Sequence, residues 1–578
     1  MKSSELLSSH KSFASPLPLG NGRALIFVNG TSIPAIGNYE TVFASLFADF
    51  EDKYFECKTT KGSLSLSVMH ELYTSSLDSP DARVCDLLLP CKDIFIRSVE
   101  SNVALSFKLL IPDGVKTTYN QRYKIGRTLT PSLTLDFGTR RVMLFTLGDA
   151  MISPCNKRIT YVNFSPGEAK IIAVYGGLNE CATLSAYAKR EFSLQNIADI
   201  NSLGLSLGRK IFDGIKPSYR QSAHILMAMQ KENGGLIASF SERYISAGAA
   251  NAIVNAFIKL KLYENARRVI VFFLDRYKES SGFASRYSDT SPLSSENAFA
   301  SSLSVVKAIF SYADRCDVGI LRVAHKFIRD TINASIKAIS SSSLPASSDH
   351  FVFRSGMLDS SHIFDGIVFS TLDFISVSKK FISYYGEDEI TSLRSILSPL
   401  EKKFPTSFID NGRCRINHLC SGAIRKPRFT FGVCPICLEE HGINELTSLE
   451  ASKSGGYLCA DHLASLQNGF VADLARVCAS TEAYISVLLS EFSTFCDMPD
   501  YEKIINECRL SNISGRLIAL LYMAVKKQNS PLKASVKKML SEASDAYGGY
   551  YSRYSSLSPE SSPLDTEVTA LALVALCD

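Results

Sequence analysis

The fold is decided by residues Ser218–Tyr277, SYRQSAHILMAMQKENGGLIASFSERYISAGAANAIVNAFIKLKLYENARRVIVFFLDRY. Apolar residues recur there at helical spacing, which predicts three successive helices around Ala223–Met229, Ala249–Ile258 and Ala266–Leu274. The first two helices are separated by the loop Gln230–Glu242, which contains an Asn-Gly-Gly turn signal. The connection Lys261–Glu264 is short, so the second and third helices are expected to be antiparallel neighbours.

This stretch resembles the glucoamylase family of glycoside hydrolases, in which paired helices form a toroid. Gly234-Gly235-Leu236-Ile237-Ala238-Ser239 matches the Gly-Gly loop after the first toroid helix, and Arg243–Ser246 matches the element that opens the second. The family then has an Arg-Asp pair that grips the non-reducing sugar, whereas this chain has Ala247-Gly248. Charged, bidentate groups select a hydroxyl-rich substrate. The resemblance therefore implies that the scaffold is kept and the sugar clamp is lost.

Length and composition indicate a globular protein with room for more than one core. The chain has 578 residues, 46% hydrophobic and 21% charged, with a formal net charge of +5. This charge bias is too weak to indicate nucleic-acid or membrane-surface binding. No apolar signal-peptide core and no run of about 18 apolar residues is visible, so a cytoplasmic location is expected, with no membrane span.

The aromatic composition weighs against an active carbohydrate enzyme. Sugar-binding clefts use flat aromatic faces against pyranose rings, and Trp offers the largest one. This sequence has no Trp, although it has 24 Tyr and 34 Phe. Tyr or Phe can take the same role, and a bias in composition explains the absence equally well.

Residues 1–200 are predicted to form an antiparallel β-sandwich domain. The strand-like runs are Arg23–Val28, Asp93–Ile96, Ala104–Leu110, Ser132–Phe137, Val142–Leu147 and Lys170–Val174. The turn Pro18–Arg23 is similar to the Gly-Asn-Gly entry of the sandwich that precedes the toroid in glucoamylase-like and phosphorylase-like enzymes. A linker helix is expected at Ala182–Asp199.

Residues 201–578 are predicted to form an (α/α)6 toroid. Beyond the three helices of the opening stretch, helical patterns cover Phe299–Ala313, Val318–Ile339, Gly366–Tyr385, Glu389–Lys402, Leu463–Phe492, Asn512–Lys527, Leu532–Ser544 and Thr566–Leu576. This gives about eleven helices, close to the number in a six-hairpin toroid.

The catalytic carboxylates implied by the resemblance are missing at the matching positions. An inverting glycosidase needs an acid with a raised pKa and a carboxylate base about 6.5–9.5 Å away. The family's acid lies in a Trp-Glu-Glu element, where this chain has Arg354 and Ser355. The family's base lies before the last helix, where this chain has Ser552.

An active enzyme would have to use displaced carboxylates. Asp359 and Glu560 are the catalytic candidates under that hypothesis, with Asp365, Glu242 and Glu296 near the same loops. Each of these also fits a solvated loop charge or a helix cap. Glu567, in the last helix, is predicted to be structural.

Two segments of the chain also resemble terpene cyclases. The segments Gln230–Gly235 and Gly548–Tyr550 also resemble the Gln-x-x-x-Gly-Gly-aromatic repeats of terpene cyclases and prenyltransferases. Those enzymes need an Asp-rich motif or a zinc site with its own Asp, Cys and His. The sequence has no Asp-rich motif, which favours the glucoamylase resemblance.

A Cys/His module is predicted within the toroid, over residues 405–495. Cys434-Pro435-Ile436-Cys437 and Cys459-Ala460-Asp461-His462 supply three thiolates and one imidazole, a closed tetrahedral set typical of structural zinc. The alternative is a group of free buried thiols. Upstream, Cys414, His418 and Cys420 could form a second partial site or replace a ligand. Such a module would offer a rigid surface to a protein partner.

The sequence favours a glucoamylase-like protein that lacks the hydrolytic machinery. It would bind an oligosaccharide or act as a scaffold or regulatory subunit, with zinc as its structural cofactor. The alternative is an active inverting glycoside hydrolase on α-glucosidic oligosaccharides.

Overall fold

The computed structural model describes most of the chain. Outside the described residues lie 1–16, 30–31, 40–41, 49–66, 80–81, 126–127, 139, 241, 281–282, 289–290, 295–297, 341–362, 411–412, 415–430, 434–439, 443–445, 449–456, 460–480, 496–500, 511, 546–547, 556–557, 560–563 and 578. The first of two compact units comprises Met1–Tyr244, Ser544–Ser552 and Pro559–Thr569. The second comprises Ile245–Ala543, Arg553–Ser558 and Ala570–Asp578. The predicted boundaries at residues 200, 405 and 495 stay predictions.

The first unit contains an antiparallel sheet of 13 strands. Its strands are β1 Leu17–Gly20, β2 Ala24–Asn29, β3 Ser32–Asn38, β4 Val42–Ala48, β5 Ser67–His70, β6 Thr74–Asp78, β7 Ala82–Leu88, β8 Ile94–Ser101, β9 Leu105–Leu110, β10 Lys116–Ile125, β11 Thr128–Asp136, β12 Arg141–Pro154 and β13 Ile159–Gly176. Their order is β1-β2-β3-β4-β9-β13-β8-β7-β6-β5, and β10, β11 and β12 continue from β13 as a branch.

The long strand β13 is the centre of this sheet. One edge pairs with β12, while the other edge is shared by β9, along Ile159–Phe164, and by β8, along Gly167–Val174. The β12–β13 ladder shifts register after Gly148, which has a φ of 77°. A Cβ atom there would lie 2.7 Å from the carbonyl oxygen of Glu168, so glycine is required at this bend.

The six predicted strands are all present, but several others were not predicted. Strands β3 to β7 have short or mixed apolar runs, such as TSSLD in β6. Four of its five residues are nevertheless buried. Strand–strand pairing, rather than alternation within the run, decides such segments.

Three helices follow the sheet within the first unit. These are α1 Leu178–Phe192, α2 Ile197–Ile211 and α3 Pro217–Ala228. The prediction of one linker helix over Ala182–Asp199 was wrong, because α1 ends at Phe192 and a new helix begins at Ile197, after its cap Asn196. The Asn196 side chain accepts from the Asp199 N–H at 2.9 Å, and the Asp199 carboxylate accepts from the Asn196 N–H at 3.1 Å. This reciprocal cap separates α1 from α2.

The second unit is helical. Its helices are α4 Ala250–Lys259, α5 Tyr263–Ser280, α6 Ala298–Arg315, α7 Ile320–Ser340, α8 Ile363–Tyr385, α9 Leu393–Phe408, α10 Thr481–Leu489, α11 Tyr501–Leu510, α12 Gly515–Lys527 and α13 Lys533–Ala543. The last helix of the chain, α14, covers Thr566–Leu576. Helix α4 packs on α5 and α6, and α6 also packs on α7 and α8. None of the described helices is long and apolar enough to cross a membrane.

Short ribbons accompany these helices. They are formed by β14 Ile245–Ser246, β15 Arg286–Tyr287 and β16 Pro292–Ser294; β17 Ile409–Asp410 and β18 Arg413–Cys414; β19 Phe431–Val433 and β20 Glu440–Gly442; β21 Leu446–Ser448 and β22 Tyr457–Cys459; and β23 Asn512–Ser514, β24 Arg553–Ser555 and β25 Ser558–Pro559. The N-terminal antiparallel β region followed by helices matches the predicted fold class.

Candidate functional site

The loop after α3 is anchored to the first strands of the sheet. The Tyr39 hydroxyl lies 2.6 Å from the carbonyl oxygen of Ala228 and 3.0 Å from that of Gln230. It also accepts from the Gly22 N–H at 3.1 Å. A Cβ atom at Gly20 would lie 1.9 Å from the Ala228 carbonyl oxygen. The end of α3 therefore approaches the sheet as closely as glycine allows.

The Gly-Gly segment of this loop forms a tight turn. The Lys231 N–H donates to the carbonyl oxygen of Gly235 at 2.8 Å, and Gln230 forms an antiparallel bridge with Leu236. Gly234 has a φ of 100°, a conformation that side chains rarely adopt. The structure thus confirms the turn that the Asn-Gly-Gly signal predicted.

The second half of the loop fixes the carboxylate of Glu242. The Glu242 N–H donates to Ser239 Oγ at 3.0 Å, and the Tyr244 hydroxyl donates to Glu242 Oε2 at 3.0 Å. Tyr244 itself is held by the Ala238 N–H, which donates to its carbonyl oxygen at 2.9 Å. The backbone N–H and the carboxylate of Glu242 are therefore each held by a neighbouring side chain.

The first turn of α14 is bonded to the same loop. The Thr566 hydroxyl donates to the carbonyl oxygen of Ile237 at 3.0 Å, and the Thr566 N–H donates to that of Ala238 at 3.0 Å. Asp565 caps the helix, because its Oδ1 accepts from the Val568 N–H at 3.0 Å. Asp565 is thereby held beside the loop that carries Glu242.

Asp565, Glu567 and Glu242 form what we call the carboxyl cluster. Burial, together with the charges of Glu567 and Glu242, raises the pKa of Asp565 to about 7, against the lowering effect of backbone N–H groups. The side chain keeps part of its surface accessible to solvent, although protein surrounds the carboxyl group closely. A carboxyl group with this pKa can donate a proton near neutral pH.

The positions of the expected sugar clamp carry no charge. The Ala247 side chain is 1% exposed, and its N–H donates to the carbonyl oxygen of Ser285 at 3.0 Å. The Gly248 carbonyl oxygen accepts from the Ser304 hydroxyl at 2.7 Å. Both residues are hydrogen-bonded through their backbone to other residues of the second unit. Neither has a side chain that could donate a hydrogen bond to a sugar.

The neighbouring Arg243 does not replace the missing arginine of the clamp. Its Nη1 donates to the carbonyl oxygen of Asn38 at 2.8 Å, and its guanidinium lies 5.6 Å from the ring centre of Phe27. Burial lowers the pKa of Arg243 to about 10. This arginine is therefore bound to the β-sheet of its own unit.

A second group of buried ionisable residues lies between the sheet and α3. His224 Nε2 lies 3.0 Å from Glu71 Oε2, and the His224 ring packs edge-on against Phe212, with centroids 4.1 Å apart. His70 adjoins Glu71 and interacts with the backbone of Pro18. Burial lowers the pKa of both histidines to about 3. We call His70, Glu71 and His224 the imidazole cluster.

Most of the predicted site residues fall outside the described part of the chain. These are Asp359, Glu560, Cys434, Cys437 and His462, together with Glu296, Arg354, Ser355, His418 and Cys420. The backbone of Asp365 lies in α8, and those of Cys459 and Cys414 end β22 and β18. Among the described residues, no group of three or more His, Cys, Asp or Glu side chains is arranged to hold a metal ion.

Sequence reasoning listed Glu242 and Glu567 but missed Asp565. The available signal was Leu564-Asp565-Thr566-Glu567, an Asp followed by a Glu directly before an apolar helix. That pattern indicates an ordinary helix cap, which Asp565 indeed is. Its approach to Glu242 depends on the folded chain, and could not be predicted from the pattern.

The chain is similar to known proteins in its fold but not detectably in its sequence. No protein-family model matches the sequence, and no curated protein matches it either. Among solved structures, a bacterial glucoamylase complexed with acarbose is similar with a TM-score of 0.64 at 9% identity, over 98% of this chain and 94% of that one. This similarity shows a glucoamylase-like fold, and it confirms the predicted fold class.

Two further structures are similar at lower scores. A family GH92 alpha-mannosidase from Bacteroides thetaiotaomicron has a TM-score of 0.44 at 10% identity, over 99% of this chain and 79% of that one. A rhamnosidase from Klebsiella oxytoca with rhamnose bound has a TM-score of 0.41 at 10% identity, over 88% of each chain.

Proposed function

We propose that this protein binds α-glucosidic oligosaccharides without hydrolysing them, as a sugar-binding, scaffold or regulatory subunit of glucoamylase-like fold. The observation that carries the proposal is Ala247-Gly248 at the position of the sugar clamp, where both residues are bonded into the local backbone. The fold supplies the link to carbohydrate, since the similar bacterial glucoamylase was solved with acarbose.

Hydrolysis requires that the sugar is held firmly and in one orientation. A hydrogen bond between a charged group and a hydroxyl contributes about 1.5–3 kcal/mol. Losing an Arg-Asp pair removes several such bonds, and it removes the orientation that brings the glycosidic bond to the acid and base. Weak binding through apolar and backbone groups is compatible with this loss, whereas efficient hydrolysis is not.

The first experiment measures binding and hydrolysis on the same sample. Maltooligosaccharides and isomaltooligosaccharides are titrated into the protein by calorimetry, and glucose release is assayed in parallel. We expect binding without glucose release. A protein that binds neither series would contradict the proposal, and so would one that releases glucose.

A second candidate function is hydrolysis by displaced carboxylates, and Asp565 favours it. An inverting glycosidase needs an acid with a raised pKa. The pKa of Asp565 is raised to about 7, and Glu242 lies close enough to contribute to that shift.

Substitution of Asp565 distinguishes the two candidates if glucose release is observed. Asp565→Asn removes the proton but keeps a residue that caps helices well, so the second candidate expects loss of activity in a folded protein. Asp199→Asn is the matched control, because Asp199 completes the cap of α2 outside the cluster. Asp359→Ala and Glu560→Ala test in the same way the two carboxylates that were predicted from the sequence as catalytic candidates.

A further inference from the structure

One face of the sheet in the first unit is accessible to solvent along several neighbouring strands. In β9 burial alternates strictly, so that Phe107 is buried whereas Ser106 and Lys108 are partly exposed. The first half of β13 alternates in the same way, with Val162 buried and Tyr161 partly exposed. Because successive side chains of a strand point to opposite faces of the sheet, the exposed residues share one face.

The strand register aligns these exposed residues in two rows. The first row crosses β4, β9, β13 and β12 and consists of Phe47, Lys108, Tyr161 and Ser153. The second row crosses β9, β13 and β12 and consists of Ser106, Asn163 and Met151. Phe47 is 36% exposed and Met151 is 58% exposed. We call the residues of these two rows the outer face.

The aromatic side chains of the first row are spaced for a chain of sugar rings. Phe47 and Tyr161 have a single strand between them, so they are about 10 Å apart. Flat aromatic faces pack against the apolar faces of pyranose rings, and this spacing allows one oligosaccharide to contact both. Lys108 lies between them in the row, and within the described part of the chain its ammonium has no hydrogen-bond or ion-pair partner. Its N–H donors are therefore available to sugar hydroxyls.

The polar groups beside Tyr161 are held in place by hydrogen bonds. Ser106 Oγ donates to Asn163 Oδ1 at 2.8 Å, and Asn163 Nδ2 donates to Ser153 Oγ at 3.4 Å. These bonds fix the plane of the Asn163 amide and leave one of its N–H donors for a ligand. Groups that are already ordered lose less entropy when a ligand binds.

We propose that the outer face is an oligosaccharide-binding surface. Its two aromatic rings stack on the sugar, and Lys108 and Asn163 donate to sugar hydroxyls. Only Lys108 is charged in the outer face, which suits a neutral ligand, whereas nucleic acids and anionic membranes attract clusters of cations. The inference rests on the proposed carbohydrate binding, and it assigns that binding to residues other than those that match the sugar clamp.

The test compares full-length variants by calorimetry, with maltoheptaose and isomaltoheptaose as probes. For a probe that binds the wild type, Tyr161→Ala should raise the Kd about three- to tenfold, as expected for the loss of one aromatic contact. Because Tyr161 is partly exposed, the variant should fold, and denaturant unfolding checks this. Tyr263→Ala is the matched control, because Tyr263 is 45% exposed and lies on α5 of the second unit. It should keep the wild-type Kd.

Oxidative footprinting of the unaltered chain gives a second readout. At equal radical dose, a bound probe should protect Met151 and Tyr161 from modification, whereas Leu194, which is 95% exposed, should be modified equally with and without the probe. If a probe binds but Tyr161→Ala keeps the wild-type Kd, or Met151 and Tyr161 stay unprotected, this inference alone is overturned. If neither probe binds, the proposed function fails and this inference fails with it.

Discussion

The imidazole cluster and the carboxyl cluster lie in the same compact unit, yet burial moves their pKa values in opposite directions. Burial lowers the pKa of His70 and His224 to about 3 and raises that of Asp565 to about 7. The cause is common to both clusters, because a low-dielectric environment disfavours the charged form whatever its sign. Burial alone therefore does not mark a functional group.

The two clusters differ in the charged side chains that surround their buried groups. In the imidazole cluster the Glu71 carboxylate lies against His224. Burial raises the pKa of Glu71, and the charges of Arg209 and Arg220 partly oppose this rise. In the carboxyl cluster the side chains that shift the pKa of Asp565 are the carboxylates Glu567 and Glu242. The first arrangement balances its charges and is structural, whereas the second keeps a proton near neutral pH, as acid catalysis requires.

Acid should destabilise the protein through the imidazole cluster, and this is the largest effect we expect. Each histidine has a pKa of 6.5 when unfolded and about 3 when folded. The unfolded chain then binds more protons, so stability present above about pH 6.5 is lost as the pH falls toward 3. Because one pKa unit corresponds to about 1.4 kcal/mol, the loss should reach several kcal/mol. Denaturant unfolding measured across this range checks it.

Substitutions separate the imidazole cluster from other acid-sensitive groups. In His70→Gln with His224→Gln, stability should fall less steeply below about pH 6.5 than in the wild type. His325→Gln is the control for a histidine substitution outside the cluster, because His325 lies half-buried on helix α7 of the second unit. Equal slopes in all three proteins would assign the acid sensitivity to groups outside this cluster.

The carboxyl cluster should show the opposite pH dependence, with a smaller amplitude. The pKa of Asp565 rises from 3.8 to about 7 on folding, so the folded chain binds more protons and loses stability as the pH rises through this window. Asp565→Asn should therefore be more stable than the wild type at about pH 8, by about 1–2 kcal/mol because partial solvent contact screens the effect. At about pH 3 the two should be equal.

An alanine substitution tells the titration apart from the helix cap. Asp565→Ala removes both the ionisable group and the acceptor for the Val568 N–H. The loss of the cap should cost about 1 kcal/mol at every pH relative to Asp565→Asn. If Asn and Ala behave alike at both pH values, Asp565 does not cap α14 in the way the structure shows.

The smallest effect is expected at Tyr244. Tyr244→Phe removes the donor to Glu242 Oε2, and should lower the free energy of unfolding by about 0.5–1.5 kcal/mol. A less firmly held Glu242 acts less on Asp565, so the stability difference between about pH 4 and pH 8 should shrink slightly. Tyr119→Phe is the control, since it loses one hydrogen bond to the Ile152 carbonyl oxygen in β12, away from the cluster. Its pH dependence should stay that of the wild type.

Local patterns predicted much of the helical structure. The periodicity within Ser218–Tyr277 predicted α3, α4 and α5, and the Gly-Gly turn between the first two is present. Apolar periodicity did not predict the segments that are stabilised mainly by contacts with residues distant in the sequence. The helix Tyr501–Leu510 and the strands β3 to β7 were not predicted, because packing and pairing decide such segments.

The sequence by itself determined the fold class and the loss of charge at Ala247-Gly248, because residue identity and helical spacing are local properties. Only the tertiary structure placed Asp565 beside Glu242. The bond that does so joins Thr566 to Ile237, 329 residues away along the chain. Burial and charge proximity depend on such long-range contacts, so the raised pKa of Asp565 is a property of the folded chain and cannot be read from its neighbours in sequence.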